Sequence, residues 1–189
     1  DPGSLSQSSV DALRGFRGFP TFERSIRTPL AVVRPRSTGE VQAVLRFSQR
    51  HRVPVVPFGG GSGLMGGAAT TKKGIVLDLR SMDRVLEIDT ASQTVTVEPG
   101  ITWAALASHL SPHGLESGHD PWTVGVATVG GAVSTNGYGY LAGRYGSAGD
   151  QVLGLEVVLA DGTKTKTRAA RKRSVGPDLH RLFIGSEGT

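Results

Sequence analysis

The 189-residue sequence contains no cysteine. That excludes disulfide frameworks, thiolate metal sites and cysteine nucleophiles, and it suits a reducing compartment, so a cytoplasmic location is expected. No apolar run approaches the roughly 20 residues that cross a bilayer as a helix. The opening stretch DPGSLSQSSV has neither the basic nor the apolar segment of a secretory leader. Catalytic signatures are missing as well: there is no G-x-S-x-G elbow and no H-E-x-x-H. Five histidines stand at 51, 109, 113, 119 and 180. His109 and His113 have the spacing of a zinc pair, but Pro112 between them breaks the helix that would hold both on one face. No metal is therefore expected, and no catalytic residue can be assigned.

Aromatic residues make up 6% of the chain, and none interleaves with the basic run KTKTRAARKR at 164–173. That run has six basic side chains and accounts for most of the formal charge of +5. Single-stranded nucleic acid is held by aromatic platforms beside basic grooves, so the run reads as a solvated surface segment and no nucleic-acid partner is expected. A basic nucleotide- or nucleic-acid-binding module stays open as an alternative of another class. It would show strong salt dependence and would lose affinity when Lys172 and Arg173 are neutralised.

Glycine is abundant: 27 residues, about twice the usual share. In VVPFGGGSGLMGGA, residues 55–68, six glycines fall within nine positions. Gly61, Gly63 and Gly66 spell G-x-G-x-x-G after a strand-like run, as in a dinucleotide-binding βαβ unit. That unit must launch a helix, and only GAATTKKG separates Gly66 from the next strand-like run, IVLDL. No helix fits, so Asp78 at the end of IVLDL loses the ribose-binding role it would otherwise take. The loop also lacks the Lys-Ser/Thr ending of a P-loop. What remains is a nest of successive backbone N–H groups, which binds phosphate without a helix.

Around that loop the chain alternates short elements. LAVVRP reads as a strand, and Ser37 with Glu40 forms an S-x-x-E cap for a helix whose Val41, Val44, Leu45 and Ser48 share one face. VPVVPF and GIVLDL supply two more strands. RVLEID and TVTVEPG alternate apolar and polar positions and read as an antiparallel pair. Thr102 caps a helix over WAALASHLSPHG that Pro112 and Gly114 stop, and Asp-Gly in ADGT marks a hairpin between VLGLEVVL and TKTKT. The class is α+β, a small β-α-β lobe followed by a larger, mostly antiparallel lobe flanked by helices. One domain accounts for the length, and a chain so equipped is suited to holding a cofactor that carries the chemistry.

Four blocks carry a resemblance: PFGGGSG at 57–63, DPWTVGVATVGGAVSTNGYG at 120–139, YGSAGDQVLGLEVVLADG at 145–162 and GPDLHRLFIGSEGT at 176–189. In this order the sequence resembles FAD-linked oxidases of the vanillyl-alcohol oxidase and p-cresol methylhydroxylase (PCMH) superfamily. It is nearest the branch with D-lactate dehydrogenases, the glycolate oxidase FAD subunit and alkyldihydroxyacetonephosphate synthase. The resemblance implies an N-terminal extension at 1–27 and a PCMH-type FAD-binding domain at 28–189, with lobes at about 28–80 and 81–189. It implies FAD as cofactor, with Phe58, Gly59, Gly60, Gly61, Ser62 and Gly63 around the pyrophosphate. Thr123, Thr128, Thr135, Asn136, Gly137 and Tyr138, with Glu187, Gly188 and Thr189, are further contacts to the cofactor. Gly130, Gly131 and Asn136 have a purely structural alternative as turn residues. Trp122 stands where relatives often have Ser or Asp, and no histidine between 52 and 108 is present to tether the flavin covalently.

The activity implied is oxidation of a 2-hydroxy acid or similar alcohol by hydride transfer to flavin N5. The alternative within the family is an alkyldihydroxyacetonephosphate-synthase-like flavoprotein without net redox change. A substrate-capping domain is expected beyond Thr189, so the small-molecule substrate would be met there and the present chain would not turn over alone. The electron acceptor is open, and a homo-oligomer is compatible with the pattern.

Overall fold

A computed structural model describes residues 25–171 and 174–189, together with Leu5, Gln7, Val10 and Ala12. Most of the expected extension at 1–27, and Lys172 and Arg173 of the basic run, lie outside the described residues.

The first lobe is a parallel three-stranded sheet in the order β1 (Ala31–Val33), β3 (Ile75–Asp78), β2 (Val55–Phe58). Its central strand is buried throughout, with Val76 fully covered, as expected of IVLD flanked on both edges. Helix α1 (Thr38–His51) connects β1 to β2. The Ser37 hydroxyl accepts the Glu40 amide at 3.3 Å, while the Glu40 carboxylate takes the amide of Arg36 at 2.7 Å. The capping box therefore closes one residue farther out than the S-x-x-E pattern predicts. Val41 and Ser48 are buried, and Val44 and Leu45 pack with Val41 on Leu77 and Met82. Full burial of such an aliphatic side chain contributes about 1.5–3 kcal/mol, and partial burial correspondingly less.

The second crossover, from β2 to β3, has no helix: the glycine-rich loop itself makes it. This is the arrangement the short spacing after Gly66 requires, and it leaves the loop's backbone open.

The second lobe begins with the hairpin β4 (Val85–Asp89) and β5 (Thr94–Val97). The Asp89 carboxylate accepts the Ser92 amide at 3.0 Å in its turn. Helix α2 (Trp103–Leu110) is capped by the Thr102 hydroxyl, which accepts the Ala105 amide at 3.2 Å. Gly114 then turns left-handed after a short 3₁₀ segment containing Pro112. Ile101, Trp103, Leu106, Leu110 and Ala127 form this lobe's core, with Val85, Ile88, Val95 and Val97 packed on it.

Two short helices, α3 (Val129–Thr135) and α4 (Ala142–Tyr145), occupy a stretch in which the sequence shows no period. Gly130 and Gly131 sit in the first turn of α3 rather than in a tight turn, because Gly130 must lie against Pro99. The last hairpin, β6 (Glu156–Val158) and β7 (Lys164–Lys166), turns through Gly162 at φ +80°. It docks on α1 through Val158 and a 2.8 Å bond from Gln42 to the Gly162 carbonyl. The antiparallel content thus takes the form of two separate hairpins.

Candidate functional site

The loop that follows β2 is held from two sides. A Cβ at Gly59 would stand 2.5 Å from the Thr128 hydroxyl, and one at Gly60 would overlap the Val126 carbonyl. Only glycine at 60 lets the loop lie on the 126–127 backbone. Gly61 has φ +64° and presses on the Phe58 ring, from which a Cβ would be 2.9 Å away; the left-handed conformation and the close approach both require glycine. The buried Phe58 ring is covered on another face by the Arg80 guanidinium at 5.2 Å.

The C-terminal motif closes the other side. A Cβ on Gly188, at φ +82°, would stand 2.5 Å from Pro57, and the Glu187 carboxylate packs on Gly67. Glu187 is itself left-handed at φ +56°, a strained state for a non-glycine residue. Its amide bonds the Ser134 carbonyl on α3 at 2.9 Å, and the Gly185 amide bonds Val133 at 3.0 Å. Segments far apart in sequence, at 57–67, 126–135 and 185–189, are therefore packed into one wall.

Several expected residues carry the wall's own structure. The Thr128 hydroxyl is buried and caps α3 by accepting the Gly131 amide at 3.2 Å. Asn136 ends α3 in the left-handed conformation, and its side-chain oxygen accepts the Gly149 amide at 3.1 Å. Gly137 bonds back to the Ala132 carbonyl at 2.8 Å. Thr135 is exposed and donates its hydroxyl hydrogen to Gly131 at 3.0 Å. Thr189 donates likewise to Ser186 at 2.7 Å. Thr123 is half-buried in the turn before Val126, Ser62 is half-buried and Gly63 exposed in the loop, and Tyr138 is exposed beside Trp122 and Tyr140.

Asp78, at the end of β3, is fully committed within the protein. Arg34 donates to it at 2.9 Å, and Arg80 donates at 2.9 and 2.8 Å. Burial pushes its carboxyl up, but the hydrogen bonds from Arg80 and Arg34 outweigh this and leave it below the usual carboxylate range. A ribose-binding role is closed to it. Beneath the wall, His119 is buried with its ring edge-on to Trp103 at 4.7 Å. Its Nδ1 has no partner, and burial lowers its pKa, with Asp120 opposing weakly. No group of three metal-ligating side chains forms among the described residues.

The wall fits an anionic dinucleotide. Among the described residues, the amides of Gly59, Gly60, Gly61, Ser62 and Gly63 make no backbone hydrogen bond, which leaves successive donors of the kind that form an anion nest. The sequence matches the FAD binding domain family over residues 29–168. The chain belongs to this family.

Its cofactor is FAD. The FAD-binding domain is 41% identical over 162 residues to glycolate oxidase subunit GlcD of Bacillus subtilis, covering 85% of this chain and 34% of that protein. It is 42% identical over 191 residues to a probable mitochondrial D-lactate dehydrogenase of Danio rerio, covering 99% and 38%. Among solved structures, alkyldihydroxyacetonephosphate synthase superposes with a TM-score of 0.74 at 28% identity, covering 82% of this chain and 30% of that one. The structure of 6-hydroxy-D-nicotine oxidase from Arthrobacter nicotinovorans superposes with a TM-score of 0.71 at 25% identity, covering 88% and 34%. The chain spans about a third of the length of these relatives. No helix among the described residues is long and apolar enough to cross a membrane.

Proposed function

We propose that this FAD-binding domain is the cofactor-holding part of an oxidoreductase acting on a 2-hydroxy acid or similar alcohol. The observation that carries this reading is the 41–42% identity, over most of the chain, to proteins named for glycolate and D-lactate oxidation, both 2-hydroxy acids. In this reading the amides of Gly59 to Gly63 hold the pyrophosphate. The Ser62, Thr123 and Thr135 hydroxyls and the Tyr138, Glu187 and Thr189 side chains face the rest of the cofactor. Thr128, Asn136, Gly137 and Gly188 shape the wall. Bound FAD supplies a ring that accepts a hydride from the substrate; the protein's share is to fix the cofactor and exclude water from one side of it. Substrate contacts and proton transfer fall to a further domain, and no catalytic residue is assigned in this chain.

A second reading follows from the likeness to alkyldihydroxyacetonephosphate synthase, in which the same cofactor wall would serve a reaction with no net oxidation. Cysteine-free composition suits the cytoplasm, and the relative from Danio rerio is named as mitochondrial.

Titration of the purified chain with FAD, followed by flavin fluorescence and run beside FMN and NAD, tests the cofactor wall. Saturable binding selective for FAD is expected, and equal binding of NAD would refute it. Bleaching of the flavin by D-lactate or glycolate under anaerobic conditions, in the full-length protein, separates the two activities. A flavin that stays oxidised with every 2-hydroxy acid tried would favour the second.

A further inference from the structure

Exposed aromatic side chains collect in one place. Trp122, Tyr138 and Tyr140 are 83%, 74% and 74% exposed, and with Gly139 they line one cleft of about 250 Å³. The cleft holds one of the two tryptophans and two of the three tyrosines of the whole sequence. Its two sides are fixed backbone to backbone: the Tyr140 amide donates to the Asp120 carbonyl at 2.9 Å, and a Cβ at Gly139 would stand 2.6 Å from that same carbonyl group. The aromatic pairs among the described residues are Phe47 with His51 and Trp103 with His119, so none of these three exposed rings is stacked on another ring. No charged side chain lines the cleft.

Size and place restrict what enters. Pockets that enclose a whole small molecule run from about 300 Å³ upward, so this one suits a single flat ring system. It is also tied to the amide nest. Trp122 opens the turn that ends at Val126, whose carbonyl lies on Gly60, and four residues of chain reach at most about 14 Å. A dinucleotide spans that distance between its pyrophosphate and either of its rings.

We propose that the cleft formed by Trp122, Tyr138 and Tyr140 takes a planar heteroaromatic ring of the bound dinucleotide by stacking. The proposal rests on the FAD reading above and extends it to Trp122 and Tyr140. Stacking on an exposed aromatic face needs no particular hydrogen-bond pattern, so it accepts isoalloxazine or adenine. FMN and ADP each carry a phosphate and one of the two rings, and they tell the rings apart.

The test compares the chain with Trp122→Ala and Trp122→Phe, each titrated with FAD, FMN and ADP while flavin and tryptophan emission are followed. Because Trp122 is almost fully exposed, neither substitution disturbs the core, and unchanged far-UV circular dichroism checks this. Trp122→Ala is expected to weaken FAD about 5- to 150-fold and to brighten the bound flavin, with Trp122→Phe recovering most of the affinity. A loss shared by FMN and absent with ADP identifies isoalloxazine; the reverse identifies adenine. Wild-type affinity and wild-type quenching of FAD in Trp122→Ala overturn the proposal and return the three rings to a protein-contact surface. Failure of the unmodified chain to bind FAD at all would instead remove the reading beneath it, and the proposal with it.

Discussion

Gly60 and Val126 meet backbone to backbone, so closely that a methyl group at 60 would occupy the space of the Val126 carbonyl oxygen. The contact fixes the middle of the glycine loop to the turn before α3, and neither partner can yield as a flexible side chain would. Gly60→Ala is expected to move the loop and abolish measurable FAD binding, at a stability cost of about 1–3 kcal/mol typical of overpacking. Gly143→Ala is the control, since nothing lies within 4 Å of a Cβ there. Equal FAD affinity in the two variants would refute the loop's role.

Asp78 joins the two edges of the small lobe's chemistry, taking Arg34 from the end of β1 and Arg80 from the turn after β3. Both arginines are half-exposed, so solvent screens them and removing their charges individually is mild. Removing the buried acceptor is not. Asp78→Ala is expected to cost about 1–3 kcal/mol and to loosen the Arg80 contact with Phe58. The folded carboxyl lies below its unfolded value, so its contribution is complete above about pH 4 and is lost as pH falls through the folded pKa. Urea denaturation at pH 7 and pH 3 should show a smaller difference between the variant and the parent at pH 3.

Asn136 ends α3 left-handed at φ 49° while its side chain holds Gly149. Two separate effects predict an order among substitutions. Asn136→Gly keeps the backbone and loses the bond; Asn136→Ala loses both, and should be the less stable by about 0.5–1 kcal/mol. Thermal melts of the two variants decide this, and a more stable alanine variant would show that the left-handed backbone matters little here.

How far the sequence carries the fold depends on whether a feature is local. Ser37, Thr102 and the alternation in TVTV announce themselves within a few residues, and the helices and hairpin they predict form where expected. The need for bare backbone after β2 is legible because six clustered glycines have few other uses, and the contacts at Gly59, Gly60 and Gly61 require it. Helix α3 is not, since Gly130 and Gly131 lower its intrinsic propensity and only the distant Pro99 explains Gly130. The spacing after Gly66 already removes Asp78 from a ribose role, but only the fold shows what it does instead, by bringing Arg34 to it. Trp122 and Tyr140 are visible as residues, but their convergence on one cleft depends on the bond between Tyr140 and Asp120.

His119 is expected to make the protein sensitive to mild acid. Its ring is 3% exposed, packed edge-on to Trp103, and close to Gly137 at the end of α3. Burial holds its pKa below the ordinary histidine value, with Asp120 the charge that opposes it. Well above pH 6.5 both folded and unfolded chains have it neutral and it contributes nothing to the pH dependence. As pH falls below about 6.5 the unfolded chain binds a proton that the folded one refuses, so stability declines until the folded pKa is reached. His119→Phe keeps a ring against Trp103 and cannot titrate. Its melting temperature should therefore fall less than the parent's between pH 7 and pH 5, and parallel falls in the two proteins would place the acid sensitivity elsewhere.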